Sequence, residues 1–350
     1  MKPTRRAPAL GALAAAALAG AVLMAGCSKP APQSAANQPI VFSILSAEDQ
    51  QSMSKVWQPL LDDMAKATGL TIKPFYATNY TSLVEAMRFK QTQVGWFSAL
   101  PALEAVDRAN GEVIGRILTN GSAGSYQSVL ITRKGSGLTL DDVVKCGKKL
   151  NFGMGDAKST SGTLAPTAYI FTPHSIEPAD CFKTVRSASH QSNFFSVANG
   201  LLDVATNNTI GMIFYTRENP QLAAKVKVIW TSPELPESSI LVRKDLDPAV
   251  KEKIRAFFLS YGHAPGPDGD RQRAVLKTLA YTGFQAADNS YLDPVRQMQA
   301  ASDLGEARHS GDPAKIAEAQ KAFDKIQAEM AVRTPANAPV TPAPPAANAP

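Results

Sequence analysis

The sequence predicts an α/β protein of two lobes that close like a clamshell on a ligand. Of its 350 residues, about 300 follow a short apolar N-terminal segment, which is more than one average domain needs. Short apolar runs alternate with helical stretches, and this alternation occurs in two successive sets. Ligands of open α/β folds bind at the carboxyl ends of strands, so we expect the site in the cleft.

The first set begins with a buried strand. Residues 40–45 are apolar except for Ser43, which is typical of a strand covered on both faces. Apolar residues then recur at helical spacing from Trp57 to Met64, and Gly69 follows that helix. Further strands are predicted over residues 70–76, 94–97, 113–118 and 129–132, with helices over 81–90 and 99–109.

The second set predicts strands over residues 150–153, 184–186, 202–206 and 226–230. One more strand, over 240–243, and a helix-rich tail as far as Arg333 bring the chain back to the first lobe. We therefore assign residues 40–128 and 231–333 to lobe 1 and residues 129–230 to lobe 2, with crossings near Val129 and Trp230. Residues 334–350 are rich in Pro, Ala and Asn, and we expect them to be disordered.

The N-terminus predicts export. Lys2, Arg5 and Arg6 precede an apolar run that ends in small residues, which is the pattern of a signal peptide over residues 1–26. Cys27 follows Met-Ala-Gly and looks like the lipidated first residue of a bacterial lipoprotein, although plain cleavage nearby or a retained anchor would leave the same pattern. Residues 27–39 then form a flexible tether, and the domain is held in the periplasm or cell envelope by its lipid.

Charge and cysteine content narrow the partners. Three of the six net positive charges belong to the signal peptide, and no basic block suggests nucleic acid. With Cys27 lipidated, Cys146 and Cys181 remain, and two cysteines in an oxidising compartment form a disulfide more often than a metal site. Two free buried thiols are the alternative. No Cys or His cluster has zinc spacing, so we expect neither metal nor cofactor.

A Gly- and Ser-rich stretch is the candidate anion site. Residues 153–162 read Gly-Met-Gly-Asp-Ala-Lys-Ser-Thr-Ser-Gly and lie between a predicted strand and a helix, with Pro166 in the first turn of that helix. Consecutive hydroxyls and free N–H groups at a helix N-terminus suit an anion. The alternative is an ordinary serine cap that serves only the helix.

Over about residues 40–262, the chain resembles the phosphonate-binding proteins of bacterial ABC importers, which are type II periplasmic substrate-binding proteins. The resemblance rests on the order and spacing of four short sequence motifs, none of which would identify the family alone. They are residues 87–89 (Met-Arg-Phe), 104–111 (Glu-Ala-Val-Asp-Arg-Ala-Asn-Gly), 159–162 (Ser-Thr-Ser-Gly) and 203–209 (Asp-Val-Ala-Thr-Asn-Asn-Thr).

The resemblance implies a monomeric transport protein that captures a small phosphorus oxyanion and delivers it to an ABC permease in the inner membrane. It also implies a ligand shell of hydroxyls, phenols and one imidazole. Carried over by position, the residues are Tyr80, Tyr126, Ser159, Thr160, Ser161 and His190. Neutral donors of this kind satisfy phosphonate oxygens without burying a full counter-charge.

The chain departs from the family where aminoethylphosphonate binders hold the ligand's ammonium group with two acids. Ile210 and, counted without gaps, Ser238 stand at those positions. Glu237 is adjacent and would substitute for the missing acid if the loop shifts, but neighbouring side chains usually point in different directions. We therefore expect a compact ligand with an apolar substituent or none, such as methylphosphonate or phosphite.

Two other functions share this fold. A related binding protein can report its ligand to a membrane histidine kinase, and the domain sequence hardly separates that role from transport. The clamshell also occurs in enzymes. No Ser, Cys or Asp nucleophile lies in a motif with a base, so we expect no catalysis.

Overall fold

The structure is a computed structural model that describes residues 38–45, 47–119 and 124–333. The predicted signal peptide, Cys27 and the C-terminal tail lie outside these residues. None of the helices within the described ranges combines the length and apolarity needed to cross a membrane.

Strands and helices alternate from the start, as the sequence predicts. Asp49 caps the first helix by accepting from the Ser52 N–H at 3.0 Å, and Gly69 follows the helix with a left-handed φ of 68°. The elements are β1 (Ile40–Ile44), α1 (Gln50–Thr68), β2 (Ile72–Tyr76), α2 (Tyr80–Arg88), β3 (Val94–Phe97), α3 (Ala99–Arg108) and β4 (Gly111–Thr119).

The middle of the chain forms a second alternating set. Its elements are β5 (Ser125–Tyr126), β6 (Ser128–Arg133), α4 (Leu140–Val144), β7 (Asn151–Met154), α5 (Pro178–Cys181), β8 (Thr184–Ser187), α6 (His190–Ala198), β9 (Val204–Asn208), α7 (Thr209–Glu218), α8 (Pro220–Ala223) and β10 (Val226–Thr231). The helix expected after the Gly- and Ser-rich stretch is instead largely π-helical, over Thr160–Leu164 and Thr167–Phe171. Its i→i+5 bonds include Leu164 N–H to the Ser159 carbonyl, 3.1 Å.

The final part contains β11 (Leu235–Pro236), β12 (Ser239–Arg243), α9 (Pro248–Ser260), α10 (Gly266–Thr278), β13 (Tyr281–Ala286), a 3₁₀ turn (Asn289–Leu292), α11 (Asp293–Ser310) and α12 (Pro313–Arg333). Strand β13 lies within the stretch after residue 243 that the sequence predicts to be a helix-rich tail. It pairs antiparallel with β4 at the edge of a sheet. Gly283, at a φ of 157°, lies at a register shift in this pairing and weakens the strand pattern in the sequence.

Two sheets confirm the two-lobed α/β fold. The first has the strand order β13-β4-β12-β3-β1-β2 and the second β10-β6-β9-β7-β8. We call the first sheet with its helices lobe 1 and the second with its helices lobe 2. The short strands β5 and β11 pair with each other where the chain passes from lobe 1 to lobe 2 and back. This ribbon is the natural hinge of the clamshell.

Helix α11 contacts both lobes. The Arg296 guanidinium makes a bidentate ion pair, at 2.9 and 3.0 Å, with Asp107 on α3 of lobe 1. Farther along α11, Gly305 packs against Thr172 of lobe 2, where a Cβ atom at residue 305 would lie 2.3 Å from the Thr172 methyl carbon. The small residue therefore permits the close approach of α11 to lobe 2.

The expected disulfide is confirmed, since Cys146 and Cys181 are joined across a separation of 35 residues. The bridge ties the end of α5 to the turn after α4, beside the aromatic cluster of Phe152, Phe171 and Phe182. It therefore stabilises lobe 2 at the edge that carries β8.

Replacing both bridged cysteines by serine should lower the free energy of unfolding by about 3 to 4 kcal/mol, the chain-entropy estimate for a loop of this size. Thermal unfolding of the oxidised protein and of the double variant measures the loss. A reducing agent should lower the melting temperature of the wild type and leave that of the variant unchanged. Equal stability of the two oxidised proteins would contradict the prediction.

Candidate functional site

A small cavity lies between the lobes, at the carboxyl ends of β1, β7 and β9. Its volume is about 60 Å³. Five of the six ligand residues implied by the resemblance line it, as do Ile210 and Ser238 of the expected specificity wall. The five are Tyr80, Tyr126, Ser159, Ser161 and His190.

Thr160 has a different position. It is not among the described residues that line the cavity, and its Oγ1 accepts a 2.8 Å hydrogen bond from the Leu100 N–H of lobe 1. Its hydroxyl also contacts the phenol of Tyr126. Thr160 therefore connects the two lobes directly beneath the cavity.

Ser159 has both roles that the sequence allows. Its Oγ accepts a 3.0 Å bond from the Gly162 N–H, so it caps the π-helical turn. It also lines the cavity, where its Oγ lies 3.3 Å from Nε2 of His190. The helix cap and the predicted anion cradle thus share this residue.

The two glycines of this stretch pack backbone to backbone. The Gly155 N–H donates to the Gly162 carbonyl at 2.9 Å, and a Cβ atom on Gly155 would lie 2.5 Å from the Gly162 Cα. Any side chain at residue 155 would push the turn outward. This close contact holds the Ser159–Ser161 segment against the end of β7.

His190 is the first residue of α6 and lies between two cradle hydroxyls. Its Nε2 is 3.3 Å from the Oγ atoms of both Ser159 and Ser161. Asn207 donates to the His190 carbonyl at 2.8 Å and fixes the start of the helix. Burial lowers the pKa of His190 to about 4, so the imidazole is neutral at pH 7.

Tyr80 and Tyr126 complete the ring of donors. Tyr80 opens α2 and its phenol bonds to Ser159, while Tyr126 lies in β5 and bonds to Ser161. Burial raises the pKa of both phenols, so both remain protonated at neutral pH. The site therefore presents neutral donors from lobe 1, lobe 2 and the hinge.

Two carboxyl groups also line the cavity. The sequence predicts that Glu237 and Ser238 point in different directions, yet both residues line the cavity. Glu48 was missed. The signal for it is its position just beyond the carboxyl end of the buried strand β1, where ligand residues of α/β folds gather.

The lobes are in contact across the cleft. The Tyr215 hydroxyl of lobe 2 donates to Glu48 Oε1 of lobe 1 at 2.8 Å, and the Asp49 N–H donates to Gln191 Oε1 at 3.1 Å. Lys158 of lobe 2 pairs with Glu104 of lobe 1. The structure is therefore a closed clamshell.

The described part of the chain contains no grouping of three or more His, Cys, Asp or Glu residues able to hold a metal ion.

A family model described as the periplasmic substrate-binding protein of ABC phosphonate transporters matches residues 42–292. The chain belongs to this family. It is a family of transport proteins and not of enzymes. The chain is 39% identical over 258 residues to the phosphonates-binding periplasmic protein of Escherichia coli, covering 73% of this chain and 75% of that one.

Solved structures agree with this membership. A binding protein component of an ABC phosphonate transporter from Pseudomonas aeruginosa superimposes with a TM-score of 0.81 at 36% identity, covering 85% of this chain and 99% of that one. PhnD1 of Prochlorococcus marinus, solved in complex with methylphosphonate, has the same fold, with a TM-score of 0.67 at 18% identity, and covers 75% of this chain and 97% of that one.

Proposed function

We propose that the protein captures a small phosphorus oxyanion in the interlobe cavity and delivers it to an ABC permease. The observation that carries this proposal is the ring of neutral donors, formed by Tyr80, Tyr126, Ser159, Ser161 and His190, around the interlobe cavity. A phosphonate group presents three strong acceptor oxygens. Neutral donors satisfy them, and enclosure between the lobes strengthens each bond.

The ligand is compact, with an apolar substituent or none. The cavity measures only about 60 Å³, and the side chain of Ile210 forms part of its wall. Methylphosphonate and phosphite meet this description, with a methyl group and a hydrogen as their respective substituents. The phosphonates-binding relative of Escherichia coli supports a phosphonate as the class of ligand.

The N-terminal lipid belongs to the same proposal. Lipidation of Cys27, followed by the tether over residues 27–39, would keep the binding domain beside its permease. Mass spectrometry of the mature protein from membranes tests it, because a diacylglyceryl group on Cys27 is expected. Cleavage at another residue would contradict it.

Isothermal titration at neutral pH tests the ligand. We expect methylphosphonate or phosphite to bind at least about tenfold more tightly than sulfate, a tetrahedral dianion that carries a fourth oxygen where these ligands have a methyl group or a hydrogen. The fourth oxygen of sulfate would face the apolar wall, where no group of the described residues donates a hydrogen bond to it. Equal affinity for sulfate, or no binding of either phosphorus compound, would refute the proposed function.

A further inference from the structure

The charges around the cavity are unusual for an anion site. Among the described residues that line it there is no Lys or Arg, whereas two glutamates, Glu48 and Glu237, do line it. The imidazole of His190 is neutral at pH 7 and adds no positive charge. An anion that enters this space meets neutral donors and two carboxyl groups.

Only one of the two carboxyl oxygens of Glu48 has a hydrogen-bond partner among the described residues. Glu48 is 9% exposed, and its Oε1 accepts the 2.8 Å bond from the Tyr215 hydroxyl. Its Oε2 is buried and has no hydrogen-bond partner among the described residues. A carboxylic acid fits this arrangement, with Oε1 as the accepting carbonyl oxygen and Oε2–H as a donor still to be used.

The groups facing Glu48 favour the acid form. They are the phenols of Tyr215 on α7 and Tyr80 on α2, together with the carboxylate of Asp49 on the same loop. Burial is the largest influence and raises the pKa of Glu48 to about 8; the Tyr215 bond opposes this rise and Asp49 adds to it. A bound dianion would add further negative charge and raise the pKa again.

Glu237 lies on a different side of the cavity. Its Oε1 accepts from the N–H and hydroxyl of Ser238, at 2.8 and 3.1 Å, and the phenols of Tyr126, Tyr281 and Tyr291 lie close enough to feel its charge. Its Oε2, like that of Glu48, is buried without a hydrogen-bond partner among the described residues, and burial raises its pKa as well. The two donors of Ser238 favour the carboxylate form of Glu237, whereas Glu48 accepts from one hydroxyl only, so Glu48 is the better candidate for a ligand donor.

We propose that Glu48 binds the ligand as a carboxylic acid, donating Oε2–H to an oxygen of the phosphorus oxyanion, so that the closed protein holds the anion together with one proton. The inference rests on the proposed function and extends it. No covalent bond changes, and the proton stays on Glu48. Glu48 thereby favours ligands that are dianions and that accept a hydrogen bond from its Oε2–H next to an uncharged part of the cavity wall.

The sign of the pH dependence follows from linkage. The pKa of Glu48 is higher in the complex than in the free protein, so binding is strongest where the free protein already holds the proton, and it weakens as pH rises. Neither the imidazole of His190 nor the buried phenols change charge between about pH 7 and pH 9, because their pKa values lie below and above this range.

The test is titration of phosphite into the wild type and into Glu48→Gln at several pH values from about 7 to about 9. The wild type should lose at least about tenfold in affinity over this range, since one proton is linked to binding. Glu48→Gln should show no such slope, because its amide donates a hydrogen bond at every pH in this range. Glu252→Gln, an exposed change on α9, should follow the wild type.

Several outcomes would overturn the inference. One is a wild-type affinity that is constant with pH, and another is an unaltered slope in Glu48→Gln. A third is tighter binding of aminoethylphosphonate that Glu48→Gln abolishes, since Glu48 would then be the counter-ion of an ammonium group. Failure of phosphite, methylphosphonate and phosphate to bind at any pH would instead refute the proposed function.

Discussion

Replacing Ile210 by glutamate together with Ser238 by aspartate should weaken methylphosphonate binding at least about a hundredfold, because each buried, unpaired charge costs several kcal/mol. Both residues line the cavity, and the described lining offers the new carboxylates no cationic partner. The same variant should gain affinity for aminoethylphosphonate, whose ammonium group would pair with the new acids. The ligand preference should therefore narrow or reverse.

The wild type itself should bind methylphosphonate or phosphite at least about tenfold more tightly than aminoethylphosphonate. Competition titration against a common reporter ligand measures all of these affinities. Ile213→Glu provides the matched control, because Ile213 lies on the same helix, α7, but is 51% exposed. A wild-type preference for aminoethylphosphonate would mean that Glu237 or Glu48 serves as its counter-ion, and the assignment of Ile210 as the specificity residue would be wrong.

His190→Ala and Thr160→Val should each weaken phosphite binding by at least about 1.5 kcal/mol, or about tenfold. Loss of the imidazole leaves the hydroxyls of Ser159 and Ser161 without the partner that orients them. Loss of the Thr160 hydroxyl leaves the Leu100 N–H unsatisfied across the cleft, so this variant should close less readily. The two changes act on one site by different routes.

Calorimetry at neutral pH measures both variants, and their melting temperatures without ligand show whether the fold is retained. His309→Ala and Thr216→Val make the same side-chain changes at exposed positions, and both variants should bind phosphite like the wild type. Unchanged affinity in both cavity variants would refute the assigned site. If only Thr160→Val loses affinity for phosphite, the loss would come from impaired closure of the lobes and not from a contact with the ligand.

The sequence predicts those parts of the site whose signal is local. The serine–threonine segment has such a signal, whereas Tyr80, Tyr126 and His190 are implied by the family resemblance, and the structure brings five of these six residues to one cavity. Glu48 was missed because nothing beside it in the chain indicates a role. Its significance depends on Tyr215, which is 167 residues away in sequence and lies on the other lobe.

The fold likewise contains elements that a local sequence pattern predicts and elements that depend on contacts between distant parts of the chain. Long periodic elements such as α1 and the buried strand β1 are evident from the order of apolar residues. Strands β5 and β11 have two residues each, too few to show a period, and they exist because the chain crosses between lobes twice at the same place. Strand β13 contains Gly283 and owes its conformation to pairing with β4.

Substitutions in helix α11 can change the affinity for the ligand without changing the residues that recognise it. The helix lies beyond residue 292, where the family match ends, yet it grips lobe 1 through Arg296 and rests on lobe 2 through Gly305. The apparent dissociation constant of a clamshell depends on the fraction of molecules ready to close, as well as on contacts with the ligand. Substitutions along α11 can therefore retune uptake to scarce or abundant nutrient while every ligand-binding residue stays the same.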